Sequence, residues 1–339
     1  MASRLPTIAT KEARLWCDKW DSSTHIEKLG LCEEMGIAYQ TGKNFRVFNR
    51  AAPVKNDYRL PPDTPLWEQF EILMHLNKLV AIHQQVPTEI SLVIPTELPI
   101  GITFFADEHV GAFGVDLESL KRDWITVKEE PGLYQFQGGD GYHNIIQASK
   151  VGSSHNQAPI SVQKAVYVNM LKENKEKILC IGVGQHNYWT ALLEGEDWDA
   201  ELARRLKLVY TKHYAKIILK VGSLIYAILR MHKSQFNSQF NLTHTCKQNQ
   251  RLHCPDARII VAEDKHEATL EQYRYNDQEC VAIRTGTYAV YDNYAQQNGF
   301  FGSHVCNPTV VLYPKQDKIV GFKDMHDAII YLRAVRGGN

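Results

Sequence analysis

The sequence predicts a mixed fold of the α+β class: a strand-rich N-terminal part, a long amphipathic basic helix near 197–232, and a small α/β C-terminal part. Three observations predict it. Short apolar runs bounded by Gly, Pro and charged residues read as strands. Other segments repeat their apolar residues at helical spacing. The chain has 339 residues, 44% of them hydrophobic and 22% charged, with zero formal net charge. That is the composition of a folded globular protein, and it excludes a disordered acidic tail, a collagen-like repeat and a histone-like basic chain. The length allows one large domain or two ordinary ones.

In chain order, Ser22-Ser23-Thr24 followed by Glu27 has the spacing of a helix start, with Gly36 as a stop. Phe45 to Asn49 reads as a short strand and Pro53 to Pro65 as a connector. Leu66 to Gln85 reads as a helix, because Leu66, Phe70, Leu73, Leu76 and Val80 recur at its period. Ile90 to Ile94, Gly101 to Phe105, Trp124 to Val127 and Leu133 to Phe136 read as strands, followed by the turn Gln137-Gly-Gly-Asp-Gly141. The polar loop Val151 to Pro159 suggests a boundary, giving regions 1–155 and 156–339 unless the whole is a single domain. Beyond it, Ser161 to Lys177 reads as a helix, Ile178 to Val183 as a buried strand, and Asp197 to about His232 as one long helix. Short apolar runs at 258–262, 280–283, 309–313 and 318–322 precede a last helix from Asp324 to Val335.

The first residues lack the apolar stretch of a secretory signal, and the longest apolar run, Ile217 to Leu229, is broken by Lys220 and Gly222. Seven scattered cysteines, an odd number, fit reduced thiols. The expectation is a soluble, cytoplasmic protein without a cofactor.

The neutral total conceals a polarised chain. Between Glu201 and Arg258 stand eleven Lys or Arg and only two acids, a net of +9, so the remainder carries −9. On a helical wheel at about 100° per residue, Arg204, Arg205, Lys212, Lys216, Lys220, Arg230 and Lys233 fall within about 160° of one another. Leu206, Tyr210, Tyr214, Ile217, Val221, Leu224, Ile225 and Ile228 occupy the neighbouring arc. Like charges without compensating acids repel unless an anion neutralises them. That anion is a phosphate backbone, an acidic surface of the same protein, or a second copy; the plain alternative is a solvated helix face.

Chemistry-bearing constellations are incomplete. His244, Cys246, His253 and Cys254 are zinc-ligand types, but with one and no intervening residues they are too close for paired ligands. Cys180 precedes Gly182-Val-Gly184-Gln-His186, yet it sits inside an apolar strand, where a buried inert thiol is expected. Asp107-Glu108-His109 and Glu263-Asp264-Lys265-His266-Glu267 offer metal ligands or general acids and bases, although such clusters more often mark solvated turns. HExxH, GxSxG and the phosphate-binding GxxxxGK[ST] loop are absent.

The first functional reading is therefore a self-assembling structural protein that binds or packages RNA or another polyanion through the basic face, in the manner of a viral nucleoprotein or capsid protein, with itself as partner. The alternative is a cytoplasmic α/β enzyme whose site is assembled from distant residues, sought first at Cys180, His186 and Glu263. A shell or inclusion-body protein without nucleic acid is the third.

Overall fold

A computed structural model describes residues 11–34, 65–84, 89–146, 156–194, 197–290 and 305–337. The chain divides into two compact units, residues 1–84 with 191–196, and residues 85–190 with 197–339.

The described helices of the first unit are α1 (Lys11–Ser22), α2 (His25–Glu34) and α3 (Leu66–Gln84). Helix α1 buries Trp16 and Trp20, whose rings stack at 5.0 Å. Helix α2 begins as the sequence predicts. The Thr24 amide donates to Glu27 Oε2 at 2.7 Å and the Glu27 amide to Thr24 Oγ1 at 3.4 Å, a reciprocal capping box. Helix α3 also lies where its periodicity places it. The expected Gly36 stop, the strand at 45–49 and most of the connector at 53–65 lie outside the described residues.

The second unit holds two six-stranded mixed sheets. The first runs, in spatial order, β1 (Glu89–Ile94), β6 (Tyr214–Val221), β7 (Leu224–Met231), β8 (Ile259–Ala262), β10 (Gln278–Arg284) and β9 (Thr269–Tyr275). The second runs β12 (Ile319–Phe322), β11 (Thr309–Leu312), β2 (Ile100–Phe105), β3 (Leu133–Gln137), β4 (Ile178–Gly182) and β5 (Tyr210–Thr211). Strands β2 to β5 are mutually parallel, as are β7, β8 and β10.

The sheets pack face to face. Ile102, Phe104 and Phe136 of one meet Ile217, Ile228, Ile259 and Val281 of the other in a continuous buried core. The outer face of the second sheet, with Phe105, Leu133 and Ile181, is covered by α4 (Leu117–Glu129), α5 (Ile160–Glu173), α7 (Trp198–Leu206) and α9 (Met325–Val335). The outer face of the first, with Met231, Ile260 and Ala282, is covered by α8 (His244–His253) through Cys246. The unit is thus layered helix, sheet, sheet, helix. Strands β2, β8 and β11 are buried along their whole length and read as near-continuous apolar runs, interrupted only by Thr103 and Thr309, because both faces are covered. The mixed α and β class is as predicted.

Two elements differ from expectation. Trp124 to Val127 is not a strand but the second half of α4. The Asp116 side chain caps that helix by accepting from the Ser119 amide at 2.9 Å, and Leu120, Trp124 and Val127 form its buried stripe. The local β preference of Trp-Ile-Thr-Val yields to the cap and the stripe.

The long basic helix at 197–232 does not exist. Helix α7 ends at Leu206, with Lys207 in the left-handed region at φ 57°, and the chain continues through β5 into the β6–β7 hairpin. Along β6 the burial alternates: Ala215, Ile217, Leu219 and Val221 point into the core, while Tyr214, Lys216, Ile218 and Lys220 point away. The hairpin turns at Gly222, φ +57°, where a Cβ would lie 2.5 Å from Pro314 Cβ. Residues spaced by four share a face in both a helix and a strand, so Lys212, Lys216 and Lys220 satisfied the wheel without being helical. Among the described residues no helix is long and apolar enough to cross a membrane.

Candidate metal centre

Chemistry gathers where parallel strands of both sheets end. Asp107, Glu108 and His109 follow β2, Asp140, His143 and Asn144 follow β3, and His186 follows β4. From the other sheet, Arg230 is the penultimate residue of β7, His232 follows it, and Glu263 to His266 follow β8. Carboxyl ends of parallel strands are where α/β proteins build sites, because the loops there are free of the ladder yet held by it. Among the described residues, ten non-glycine positions have φ in the left-handed region, and six of them are here: Asp107, His109, Asp140, Asn144, Asp264 and His266. Strain of this kind persists only where the surroundings over-determine it.

A buried charged network fixes the frame. The Arg230 guanidinium donates to both oxygens of Glu263, each at 2.7 Å, and His232 Nδ1 donates to Glu263 Oε2 at 2.9 Å. The Gly139 amide adds a further bond to that carboxylate at 2.9 Å. Burial pushes the Glu263 carboxyl up, but Arg230 and His232 outweigh it and hold it at about 2. His232 Nε2 donates to Asp140 Oδ2 at 3.1 Å, and the His186 amide donates to Asp140 Oδ1 at 2.8 Å. Burial opposes a charged imidazole at His232, yet Asp140 and Glu263 raise it well above its usual range. Asp140 is held well below the carboxylate range, because His186 and His232 overcome its burial. His232 is therefore an imidazolium clamped between two carboxylates, joining β7, β8 and the loop after β3.

Glycines make room for this network. A Cβ on Gly184 would lie 2.0 Å from Asp140 Oδ1, and one on Gly182 would lie 2.0 Å from the Arg230 guanidinium carbon.

Beside the network lie three overlapping groups whose ligand atoms are within 4.8 Å of one another: Asp107, His109 and His266; His109, His143 and His186; Asp107, Asp140 and His232. His109 Nε2 is 3.2 Å from His266 Nε2, and His109 Nδ1 is 3.3 Å from His143 Nδ1. Two nitrogens on one tetrahedral zinc, each about 2.0–2.1 Å from it, stand roughly 3.4 Å apart, so these spacings suit shared ligation. His109 is held well below its usual range by burial and by the neighbouring imidazoles, which keeps it neutral as a ligand must be. Asp107 is buried, Oδ1 has no hydrogen-bond partner, and burial raises its carboxyl despite the nearby His266. Asn144 Oδ1 is likewise buried without a partner, while its Nδ2 donates to His186 O at 2.7 Å and Thr190 Oγ1 at 2.8 Å. Buried carboxylate and amide oxygens with spare acceptor capacity, beside clustered imidazoles, are the donor set of a divalent cation, and the residues fit one. Glu108 differs: burial pushes it up to about 8, so at neutral pH it is mostly protonated, and Gln137 Nε2 donates to its Oε1 at 2.6 Å.

The seven basic residues of the predicted nucleic-acid face are dispersed. Arg204 and Arg205 pair with Glu201 on exposed α7, each at 2.8 Å. Lys212 lies between β5 and β6. On β6, Lys216 pairs with Asp256 at 2.7 Å and Lys220 is exposed. Arg230 is consumed by Glu263 at the centre of the buried network, and Lys233 Nζ reaches Gln185 Oε1 at 3.0 Å. The surface that was to bind RNA as one continuous helix face is not formed.

Cys180 is buried in the inter-sheet core and pushed up to about 12 by that burial, an inert thiol as expected. His244, Cys246 and His253 belong to α8, with Cys254 at its end. There the Cys246 thiol donates to Ile283 O and the Cys254 thiol to Asp256 Oδ1, leaving both engaged with the protein. His186 and Glu263, two of the three places proposed for an enzyme, do meet around Asp140 and His232. Of the two acidic clusters read as solvated turns, Asp107 to His109 is buried, while the second is buried at Glu263, half-buried at Asp264 and His266 and exposed at Lys265 and Glu267; the two touch where the Asp264 amide donates to Asp107 Oδ2 at 3.1 Å. Asp140, His143, Asn144 and His232 escaped the sequence reading. Their available signal was position, a titratable residue just past the end of an apolar run, repeated at five strands.

No family model matches the chain, and no curated protein matches it. Solved structures that resemble it include Vps29 of Entamoeba histolytica complexed with zinc, at 11% identity over 66% of this chain and 98% of that one, with a TM-score of 0.33. Others are the calcineurin-like phosphoesterase YfkN of Bacillus subtilis (8% identity, 70% and 96% covered, TM-score 0.39) and a metallophosphoesterase of Sphaerobacter thermophilus (10%, 71% and 95%, TM-score 0.33). Likeness of this degree carries no argument. With the basic helix absent and Arg230 buried, the reading as a viral, RNA-binding structural protein is corrected.

Proposed function

We propose that the protein is a metal-dependent hydrolase acting on phosphoesters. The observation that carries the reading is the set of three ligand groups that overlap at Asp107 and His109 beside a saturated, charged frame. Asp107, His109, Asp140 and His266 would hold the cation or cation pair, with His143, His186 and the Asn144 amide oxygen at the border. His232, with both nitrogens given to carboxylates, orients Asp140 from behind. A bound divalent cation supplies Lewis-acid activation of water and of the ester oxygens.

The chain's own groups do the rest. His186 donates Nδ1–H to His143 O at 2.7 Å, so its Nε2 is the nitrogen left to exchange a proton with a substrate oxygen. The carboxylates of Asp140 and Glu263 stay ionised through acid pH because Arg230 and His232 hold them so. Phosphoryl transfer asks for positioning and charge neutralisation more than for a covalent nucleophile. That suits a site where Cys180, the nearest thiol in sequence to His186, is buried in the core. We read the compartment as cytoplasmic, because the seven cysteines are odd in number and scattered along the chain, the usage expected where thiols stay reduced.

The test pairs metal analysis with turnover. Purified protein reconstituted with Mn²⁺ or Zn²⁺ is expected to retain the ion after desalting and to hydrolyse p-nitrophenyl or bis-p-nitrophenyl phosphate. Asp107→Asn and His109→Gln should each lower both retention and rate at least a hundredfold. Wild-type protein that neither retains an ion nor shows cation-dependent hydrolysis would end the proposal.

A further inference from the structure

Away from the metal centre, helices α4 and α5 leave a groove of about 480 Å³ between them, in the size range of clefts that accept whole side chains or small ligands. Val110, Leu120, Trp124, Ile125, Val166 and Met170 make it apolar. Its charged lining is two lysines, Lys121 and Lys128, against one acid, Glu173, which pairs with Lys128 at 2.6 Å. Lys121 is exposed on the rim. Ile125 and Val166 are 43% exposed each, although both belong to helices whose opposite faces bury Val127 and Tyr167 completely or nearly so. A groove of this composition accepts the apolar side of an amphipathic helix with an acidic flank.

The chain carries such a helix. In α3, Leu66, Phe70 and Leu73 recur at the spacing by which a helix reads a groove, and all are more than half exposed; Trp67 is 75% exposed and Met74 45%. At about 100° per residue these five fall within roughly 120° of the helix surface, and Glu71 borders them. From Leu66 to His75 the helix holds Glu68 and Glu71 and no Lys or Arg. A contiguous apolar face of this size on a soluble surface marks an interaction site rather than solvent-facing decoration.

We infer that α3 of one copy docks in the α4–α5 groove of a second copy, so that the protein self-associates through a helix-in-groove contact. The helix face and the groove are different surfaces, so the contact is heterologous, and two copies satisfy each other by reciprocal exchange. Apolar anchors supply the affinity and the Glu71 to Lys121 complement supplies orientation. The inference stands apart from the metal centre, whose residues take no part in it.

The test uses the full chain, with sedimentation velocity over a hundredfold range of concentration and circular dichroism as a control of folding. Wild-type protein is expected to dimerise or to form a larger closed assembly. Phe70→Asp, on the helix, and Val166→Asp, on the groove, both replace exposed side chains, and each should weaken association at least tenfold while leaving the folded spectrum unchanged. Mixing the two variants should restore a one-to-one complex, because the first keeps an intact groove and the second an intact helix. A wild-type chain that stays monomeric at every concentration overturns the inference. So does association that survives both substitutions, or a mixture of the folded variants that fails to combine.

Discussion

Arg230 shows how far one residue's meaning depends on its surroundings. As a member of a basic stripe it reads as a phosphate contact; in the fold it is 3% exposed and forked onto Glu263. Removing one partner of a buried pair leaves the other charge uncompensated, at a cost of about 3–5 kcal/mol. Arg230→Met should therefore lower stability by roughly that amount in urea denaturation, whereas Arg205→Met, at an exposed pair, should change it by less than about 1 kcal/mol. Equal effects would refute the buried frame. Asp199 gives a second prediction at this scale. It is buried, its Oδ1 lacks a partner, and burial pushes it up to about 7 from the ordinary 3.8. Between those values the folded state keeps a proton that the unfolded state has lost, so the contribution of Asp199 to stability falls as pH rises from about 4 to 7 and then levels. Asp199→Asn should flatten that slope, stabilising the protein at pH 8 by a few kcal/mol while making little difference at pH 4. An unchanged slope in the variant would assign the pH dependence elsewhere.

At the scale of elements, the sequence is legible where one period dominates and a boundary residue agrees with it. The capping box at Thr24 and Glu27, the buried runs of β2 and β11 and the last helix α9 all meet that condition. It fails at 210–232, where residues spaced by four satisfy a helix and a strand alike. There Ile217-Ile218, the alternation along β6 and the turn at Gly222 decide for the hairpin. It fails at Trp124 to Val127 for the opposite reason, because a four-residue window hides the helical stripe that begins at Leu120. The site is less legible still: its residues come from five strand ends separated by up to 159 positions, from Asp107 to His266, and only strand order joins them. Strand alternation makes its own forecast. Ile217 is fully buried in the inter-sheet core, so Ile217→Ala should destabilise by about 2–5 kcal/mol, while Ile218→Thr, one residue on and facing the other way, should change stability by less than about 1 kcal/mol. Thermal denaturation of the two variants reads the difference, and equal losses at the two positions would refute the alternation along β6.

For the molecule as a whole, the proposed cation would also be a fastener. Asp107, His109 and Asp140 belong to one sheet's strand ends and His266 to the other's, so a cation held among them would tie the sheets together at an edge where the apolar core has ended. A ligand that binds the folded state and not the unfolded one stabilises by its own mass action, about 2.7 kcal/mol at a hundred times its dissociation constant. For a unit of this size each kcal/mol raises the melting temperature by roughly 2–4 °C. Saturating Mn²⁺ or Zn²⁺ should thus raise the midpoint by roughly 5–10 °C, and a chelator should return it to the metal-free value. Asp107→Asn would remove a ligand of the proposed cation, so it should abolish the metal-dependent shift in a protein that still unfolds cooperatively when chelated. Phe70→Asp, which lies on α3 and outside the ligand set, should leave the shift intact. A midpoint insensitive to every divalent cation tried, in a protein whose spectrum shows it folded, would mean that the imidazoles and carboxylates satisfy one another and that the strained loops serve some other end.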